Sequence, residues 1–252
     1  MCNDMSLIPK SHPRAKSLYI REKLVKGFDD GLVAKEGLMA HGRGETFDYL
    51  LGEKTSKYAQ NAIRAAASTL VSASYPVISV NGNAAALCPK EIVKLAKMVN
   101  ARIEVNLFYT NKKRKENIVK ILRKYGAKEV LGIDSKASHR ILGLDSARRI
   151  VDKRGIYKAD VVIVPLEDGD RTIALKKAGK KVITFDLNPL SRTAKTADIT
   201  IVDNIVRGFN ELIKECQNSK KKIRKAHFNN KKNLSACVLE IKNNLSRRLP
   251  NA

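Results

Sequence analysis

The sequence predicts an α/β fold: a Rossmann-like, mainly parallel sheet flanked by helices, with a helical N-terminal part. Three observations predict it. From Pro76 onward, short apolar runs alternate with helical stretches over short connections, the pattern of parallel strands joined by right-handed crossovers. Residues 1–75 read as helical instead. Two late strands, 182–185 and 199–202, each deliver an Asp at the carboxyl end, the edge at which open α/β sheets meet their ligands.

In the N-terminal part, Leu18, Leu24 and Phe28 fall near helical spacing and place a helix over 17–30, with Gly31 as its stop. Over 56–74, Tyr58, Ala62, Ile63, Ala66, Leu70 and Val71 make one apolar face, which Thr55 or Ser56 can cap. Between these helices lies GLMAHGRGETFDYLLGE, residues 37–53. Its Gly37, Gly42 and Gly44 are expected to interrupt any regular helix until 45–51, which places His41-Gly42-Arg43-Gly44-Glu45 in a turn.

The alternating part opens with a strand at 77–80, ending in Asn81-Gly82-Asn83. A helix follows over 89–100 with Pro89 in its first turn. Next come a strand at 102–109, Thr110 as a cap, and a helix over 111–125 stopped by Gly126. Residues 129–133 read as a third strand, and 134–160 as a longer polar segment containing Ser138-His139-Arg140. The buried-type strand 161–165 runs into Glu167-Asp168-Gly169-Asp170, then a short helix over 171–178 that Asp170 can cap and Gly179 can end. After the two acidic-ended strands a helix spans 205–216. The tail starts with a basic linker and finishes in an amphipathic helix whose Leu234, Cys237, Val238, Ile241, Leu245 and Leu249 share a face. Such a face must pack on the body or on a second subunit. The expected organisation is a helical part (1–75) packed on a nucleotide-binding core (76–212), followed by the basic linker and helix (213–252).

Composition narrows the function classes. With 252 residues, 43% of them hydrophobic, the chain can bury a core. No apolar run approaches the ~18 residues of a membrane helix, and the N-terminal stretch has no apolar h-region of a secretory signal. Cys2, Cys88, Cys216 and Cys237 are far apart and the four histidines are scattered, which argues against a disulfide framework or a zinc site and for a cytoplasmic location. The formal charge is +24, and residues 213–252 hold eleven Lys or Arg against Glu215 and Glu240. Charge of this kind suits either nucleic acid or small anionic ligands. Aromatics make up only 5%, there is no Trp, and no RNP-type aromatic strand occurs, which favours a solvated basic surface with at most weak polyanion binding by the tail. A basic nucleic-acid-binding protein on the same scaffold is the competing reading.

Motif absences are equally informative. There is no P-loop, no GxGxxG after a strand, no GxSxG and no HExxH. Among the motifs present, glycines flanking Arg43 allow close backbone approach, and a guanidinium can grip phosphate or carboxylate at two points; the bland alternative is an ordinary interhelical turn. Asn81-Gly82-Asn83 lies at a strand's carboxyl end, where it is either a ligand contact or a plain Asn-Gly turn. Glu167, Asp168 and Asp170 could hold Mg²⁺ or simply form a turn and cap. The better signal is Asp186 with Asn188 and Asp203 with Asn204. A carboxylate at that edge can accept both hydroxyls of a ribose, and Ser191, Arg192 and Thr193 supply donors suited to phosphate.

Several longer blocks make the chain resemble a known family: IPKSHPRAKSLYIREKLVKG, GLVAKEGLMAHGRGETFDYLLGE, VNGNAAALCP, VNLFYT, VIVPLEDGDRT and DLNPLSRTAKTADITIVDNIVR. It is similar to the archaeal phosphopantothenate synthetases, the 4-phosphopantoate–β-alanine ligases of coenzyme A biosynthesis. The resemblance covers 7–212, and the residues after Cys216 read as lineage-specific. It implies a homodimeric ligase that splits ATP to AMP and diphosphate through an acyl-adenylate, with Mg²⁺ bridging phosphate oxygens. It also implies ATP contacts at Arg21, Arg43, Asp186, Leu187, Asn188, Arg192, Thr193, Asn204 and Ile205, with Asp203 acting as a helix cap. His41, Asn81, Asn83 and Asp170 are added as substrate-side or metal-side candidates.

Overall fold

The computed structural model describes residues 8–166, 168–219 and 228–248. Its centre is a five-stranded sheet in the order β2 (Arg102–Val105), β1 (Pro76–Val80), β5 (Val161–Ile163), β6 (Lys181–Phe185), β7 (Ile199–Ile201), with every pairing parallel. A two-stranded antiparallel ribbon, β3 (Ser138–Arg140) with β4 (Ile150–Asp152), is inserted between β2 and β5. A parallel sheet needs cover on both faces, and the side-chain alternation of the strands supplies two apolar surfaces. Ile78, Val80, Ile183 and Phe185 join one core with α3 (Lys57–Val71), α5 (Pro89–Val99), α6 (Lys112–Lys124) and α9 (Ile205–Ser219). Val77, Val162 and Val182 join another with Leu175 of α7 (Gly169–Lys177) and the ribbon residues Ile141 and Val151. A third cluster, with Leu51, Leu187, Val202, Leu234 and Cys237, lies under the C-terminal helix α10 (Asn230–Arg248).

Most helices begin and end for the reasons the sequence suggests. The Ser56 hydroxyl accepts the Ala59 amide at 3.1 Å and caps α3. Gly31 stops α1 (Ala15–Asp29), Gly126 stops α6 and Gly179 stops α7, each at positive φ where glycine costs least. Inside α9, Gly208 has a packing role. A Cβ there would lie 2.5 Å from the Phe185 ring, which stacks on Phe209 at 4.8 Å.

Other expectations are corrected. The HGRGE segment is not a turn: α2 runs unbroken over Lys35–Leu51 and ends at Gly52 in the left-handed conformation. The glycines weaken that helix but do not break it, because tertiary contacts override propensity. Residues 129–133 form no strand; Leu131 makes a single parallel bridge to Glu104 before Gly132, at φ 87°, turns the chain away. The strand expected over 102–109 ends at Val105, and Asn111 rather than Thr110 caps α6. Asp168 rather than Asp170 caps α7, accepting the Arg171 amide at 2.8 Å. Asn81-Gly82-Asn83 opens a further short helix, α4 (Gly82–Leu87). Leu249 of the expected apolar face, Glu167 and much of the basic linker lie outside the described residues. The final helix packs on the chain's own body: Leu234 and Cys237 are buried in the third cluster, and Asn244 donates to the Leu50 carbonyl at 3.0 Å. Among the described residues, no helix is long and apolar enough to cross a membrane.

The continuous α2 can be tested directly. A Cβ on Gly42 meets nothing within 4 Å. If Gly42 lies within a helix, Gly42→Ala stabilises the protein by about 0.5–1 kcal/mol. Thermal unfolding followed by circular dichroism reads this as a rise of roughly 2–4 °C; in a turn requiring glycine, the same change lowers the midpoint.

Candidate active site

The sheet reverses its strand order between β1 and β5, and the carboxyl ends of all five strands share one edge, the place where doubly wound sheets bind ligands. Helix α2 crosses this edge. The Gly37 carbonyl accepts from Asn83 Nδ2, just after β1, at 2.8 Å. A Cβ on Gly44 would lie 3.7 Å from Leu187, just after β6. Asp48 reaches Asn204 and Arg207, just after β7. From Gly37 to Asp48 a helix rises about 16 Å, and the three strand spacings from β1 to β7 add to about 14 Å. The helix has the length to span the edge.

Beneath α2, Asp186 is mostly buried and locally braced. Its carboxylate accepts the Asn188 amide at 2.9 Å and a short hydrogen bond from the Ser191 hydroxyl. Burial raises its pKa, opposed by those two bonds and by the charge of Arg43. The Ser191 hydroxyl also accepts the Ala194 amide at 2.9 Å and caps the short helix α8 (Arg192–Thr196), which carries Thr193. In the next strand end, Asn204 Oδ1 accepts the Val206 amide at 3.0 Å, turning Asn204 and Ile205 into the start of α9. Asp203 accepts from the Thr55 hydroxyl at 2.7 Å and from the Asn204 amide at 2.8 Å. Leu187 and Ile205 are buried, so any polar contact they make with a ligand comes from the backbone.

The cations differ in readiness. Arg43 is exposed on α2 and has no hydrogen bond or ion pair among the described residues. Arg21 on α1 forks onto Glu45 of α2, with Nε 3.1 and 2.9 Å from the two carboxylate oxygens. Arg192 forms a short ion pair with Asp170. His41, a turn before Glu45, has its pKa lowered by burial, partly offset by the Glu45 charge and reinforced by Arg21, which favours the neutral imidazole.

The structure therefore gathers His41, Arg43, Asp186, Leu187, Asn188, Asn204 and Ile205 around α2. It gives Asn81 and Asn83 structural work: Asn81 caps α4 and donates to the Pro165 and Leu166 carbonyls, and Asn83 holds Gly37. No group of three His, Cys, Asp or Glu side chains arranged for a metal occurs among the described residues. Asp168 and Asp170 each face an arginine instead.

A second cluster was not anticipated from sequence. Arg171 is wholly buried at the start of α7, donating to the Ser79 hydroxyl at 3.1 Å. Arg148, from the turn before β4, reaches Asp168 at 3.1 Å. Burial and, for Arg148, the neighbouring Arg171 charge pull these guanidinium pKa values down to about 9 for Arg148 and about 10 for Arg171. Glu104 is fully buried and accepts the Asp152 and Ile156 amides at 3.0 and 2.7 Å, tying the ribbon to the sheet. Only Arg171, inside the VIVPLEDGDRT block, had a sequence signal, and nothing in that block marks it as buried.

Fold and edge define an α/β protein with a five-stranded parallel sheet, whose acidic strand ends lie under a helix that presents an arginine. The sequence model of the phosphopantothenate/pantothenate synthetase family matches residues 58–244, and the chain belongs to this family. It is 53% identical over 247 residues to the 4-phosphopantoate–β-alanine ligase of Thermococcus kodakarensis, covering 95% of this chain and 94% of that one. It is 49% identical to the enzyme of the same name from Methanosarcina mazei, with 96% of each chain covered. These matches correct the reading of the tail as lineage-specific: the family pattern extends well past Cys216, through most of α10.

Burial lifts the Glu104 pKa to about 7 from its ordinary 4.5, against the two amide bonds that favour the charge. Between those values the folded state holds a proton that the unfolded chain has lost, so this group's contribution to stability falls as pH rises. Glu104→Gln removes that dependence. Denaturant titrations from about pH 5 to about pH 7 should show a flatter stability profile for the variant than for the wild type; parallel profiles would mean that Glu104 does not titrate there.

Proposed function

We propose that this protein is an ATP-dependent ligase that joins the carboxyl of 4-phosphopantoate to the amine of β-alanine, releasing AMP and diphosphate. The observation that carries this reading is the braced Asp186 carboxylate lying within the electrostatic reach of Arg43, in a chain about half identical to ligases of that name. Asp186 accepts the ribose hydroxyls, while the backbones of Leu187, Asn188, Asn204 and Ile205 frame the nucleoside. Arg43 grips the phosphates, joined by Arg192 and Thr193, and by Arg21 once the phosphates compete for it with Glu45. Guanidinium forks suit this task, because phosphate offers two oxygens in the matching plane.

A free carboxylate is a poor electrophile. In the first step a carboxylate oxygen of 4-phosphopantoate attacks the α-phosphorus of ATP and diphosphate departs. The β-alanine nitrogen then attacks the acyl carbon, AMP departs with the bridging oxygen, and the nitrogen loses a proton. Neither step needs a covalent nucleophile from the protein, whose contribution is positioning and neutralisation of charge. A neutral His41 is the candidate acceptor of the ammonium proton. Mg²⁺ accompanying ATP would supply further neutralisation of the phosphate charge beside Arg43 and Arg192. The same reading takes the molecule as a homodimer, with residues 76–212 as its nucleotide-binding core.

The activity is tested by following AMP with each substrate omitted in turn; ligation requires that full AMP turnover depend on both 4-phosphopantoate and β-alanine. Two variants test the residue roles. Arg43→Ala should raise the KM for ATP by about tenfold or more, the loss of a charge-assisted contact. Asp186→Ala should weaken ATP and adenosine binding alike, because the ribose is common to both. Near-normal ATP kinetics in the first, or an effect confined to β-alanine in the second, would remove that residue from its role.

A further inference from the structure

Helix α2 holds Arg43 over the strand ends, and its apolar seam is thin: Leu51 is buried, with Leu38 and Phe47 packing partly buried against the first and third cores. Asp48 and Leu51 are its only buried residues. Gly37, Gly42 and Gly44 each lower its intrinsic helix stability by about 1 kcal/mol relative to alanine. Polar contacts towards each end of the helix add to that seam. Towards its start, Asn83 bonds the Gly37 carbonyl. Towards its end, beside single bonds from Asn204 to Asp48 and from Asn244 to the Leu50 carbonyl, the Arg207 guanidinium makes a two-point contact. Arg207 of α9 donates from Nη1 to Asp48 Oδ2 at 3.1 Å and from Nη2 to Asp48 Oδ1, a two-point grip. The same group donates from Nε to Asp203 Oδ1 at 3.0 Å. Burial opposes the charge on Arg207, but the two carboxylates outweigh it and raise its pKa. A paired, mostly buried fork of this kind is far stiffer than an exposed ion pair.

We propose that Asp48 and Arg207 are positioning residues for ATP: their clamp fixes α2 against the turn between β7 and α9, and so sets the separation between Arg43 and the nucleoside cradle. Arg43 lies five residues before Asp48, about 7.5 Å along one continuous helix. A displacement at the clamp therefore reaches the guanidinium that faces the phosphates, whereas Asp186 keeps its own braces from Asn188 and Ser191. The inference rests on the assignment of Arg43 to the phosphates of ATP. Asp48→Ala is the informative change, because Arg207 stays paired with Asp203 and no buried charge is left alone.

The test is calorimetric titration of the full-length Asp48→Ala protein with ATP and, separately, with adenosine. The expected result is about a tenfold loss of ATP affinity with at most about a threefold loss for adenosine, because Asp48 also accepts from Asn204 Nδ2 at 3.3 Å while Asn204 keeps its own bond to the Val206 amide. Unchanged affinity for both ligands would reduce the clamp to a stabilising contact. Equal loss of both in a folded protein would show that it supports the whole cradle. Either result overturns the proposal. Should Asp48→Ala not fold, Asp48→Asn, which keeps one acceptor for Arg207, is titrated in its place; about a threefold loss confined to ATP is then expected, and unchanged ATP affinity overturns the proposal. Arg43→Ala is titrated alongside. If it leaves ATP binding intact, the assignment of Arg43 falls. If it weakens ATP while the Asp48 variant does not, the positioning role alone falls.

Discussion

A wholly parallel sheet can be folded only if helices cover both of its faces, and this constraint governs the rest of the molecule. Each strand must return to the same edge before the next begins, so the chain leaves all five strands at one side of the sheet. The polar ends of those strands are gathered there whatever their separation in sequence. With α2 laid across that edge, Asp186 feels the charge of Arg43 and Asp203 shares Arg207 with Asp48, although Arg43 and Asp48 lie more than a hundred positions earlier in sequence. The apolar layers fix the sheet, and polar contacts then arrange the edge.

Much of this architecture could be read from sequence because it rests on local periodicity. The strands at 76–80 and 181–185 and the helices at 57–71 and 89–99 announce themselves by spacing and by their caps. The failures have two physical causes, long-range contact and local turn and cap geometry. The glycines of α2 look like punctuation because the partners that hold the helix, Asn83 and Arg207, are 46 and 159 residues away from the groups they bond. Leu131 has the composition of a strand but makes one bridge before Gly132 diverts the chain. The cap of α7 moved from Asp170 to Asp168 because only Asp168 sits one residue before the helix, with its side chain on the Arg171 amide. In the candidate site, the residues at strand ends were legible from the general rule for such sheets. Arg148, Arg171 and Glu104 were not, since burial of a charge is a property of the assembled core.

The electrostatics follow a common pattern. The chain carries a large positive charge, yet the guanidinium groups at the edge are mostly held by carboxylates: Arg21 by Glu45, Arg192 by Asp170, Arg207 by Asp48 and Asp203. Paired arginines keep a fixed direction at the cost of some availability. Arg43 differs from the others in making no ion pair among the described residues, and its charge opposes the rise that burial gives the Asp186 pKa.

The central claim is that the carboxyl group of the phosphorylated acid is activated by adenylation at this edge. The most direct measurement labels both carboxylate oxygens of 4-phosphopantoate with a heavy isotope and examines the products by mass spectrometry. Adenylation predicts one labelled oxygen in the AMP released and none in the diphosphate. Label in diphosphate or in orthophosphate, with unlabelled AMP, would contradict it.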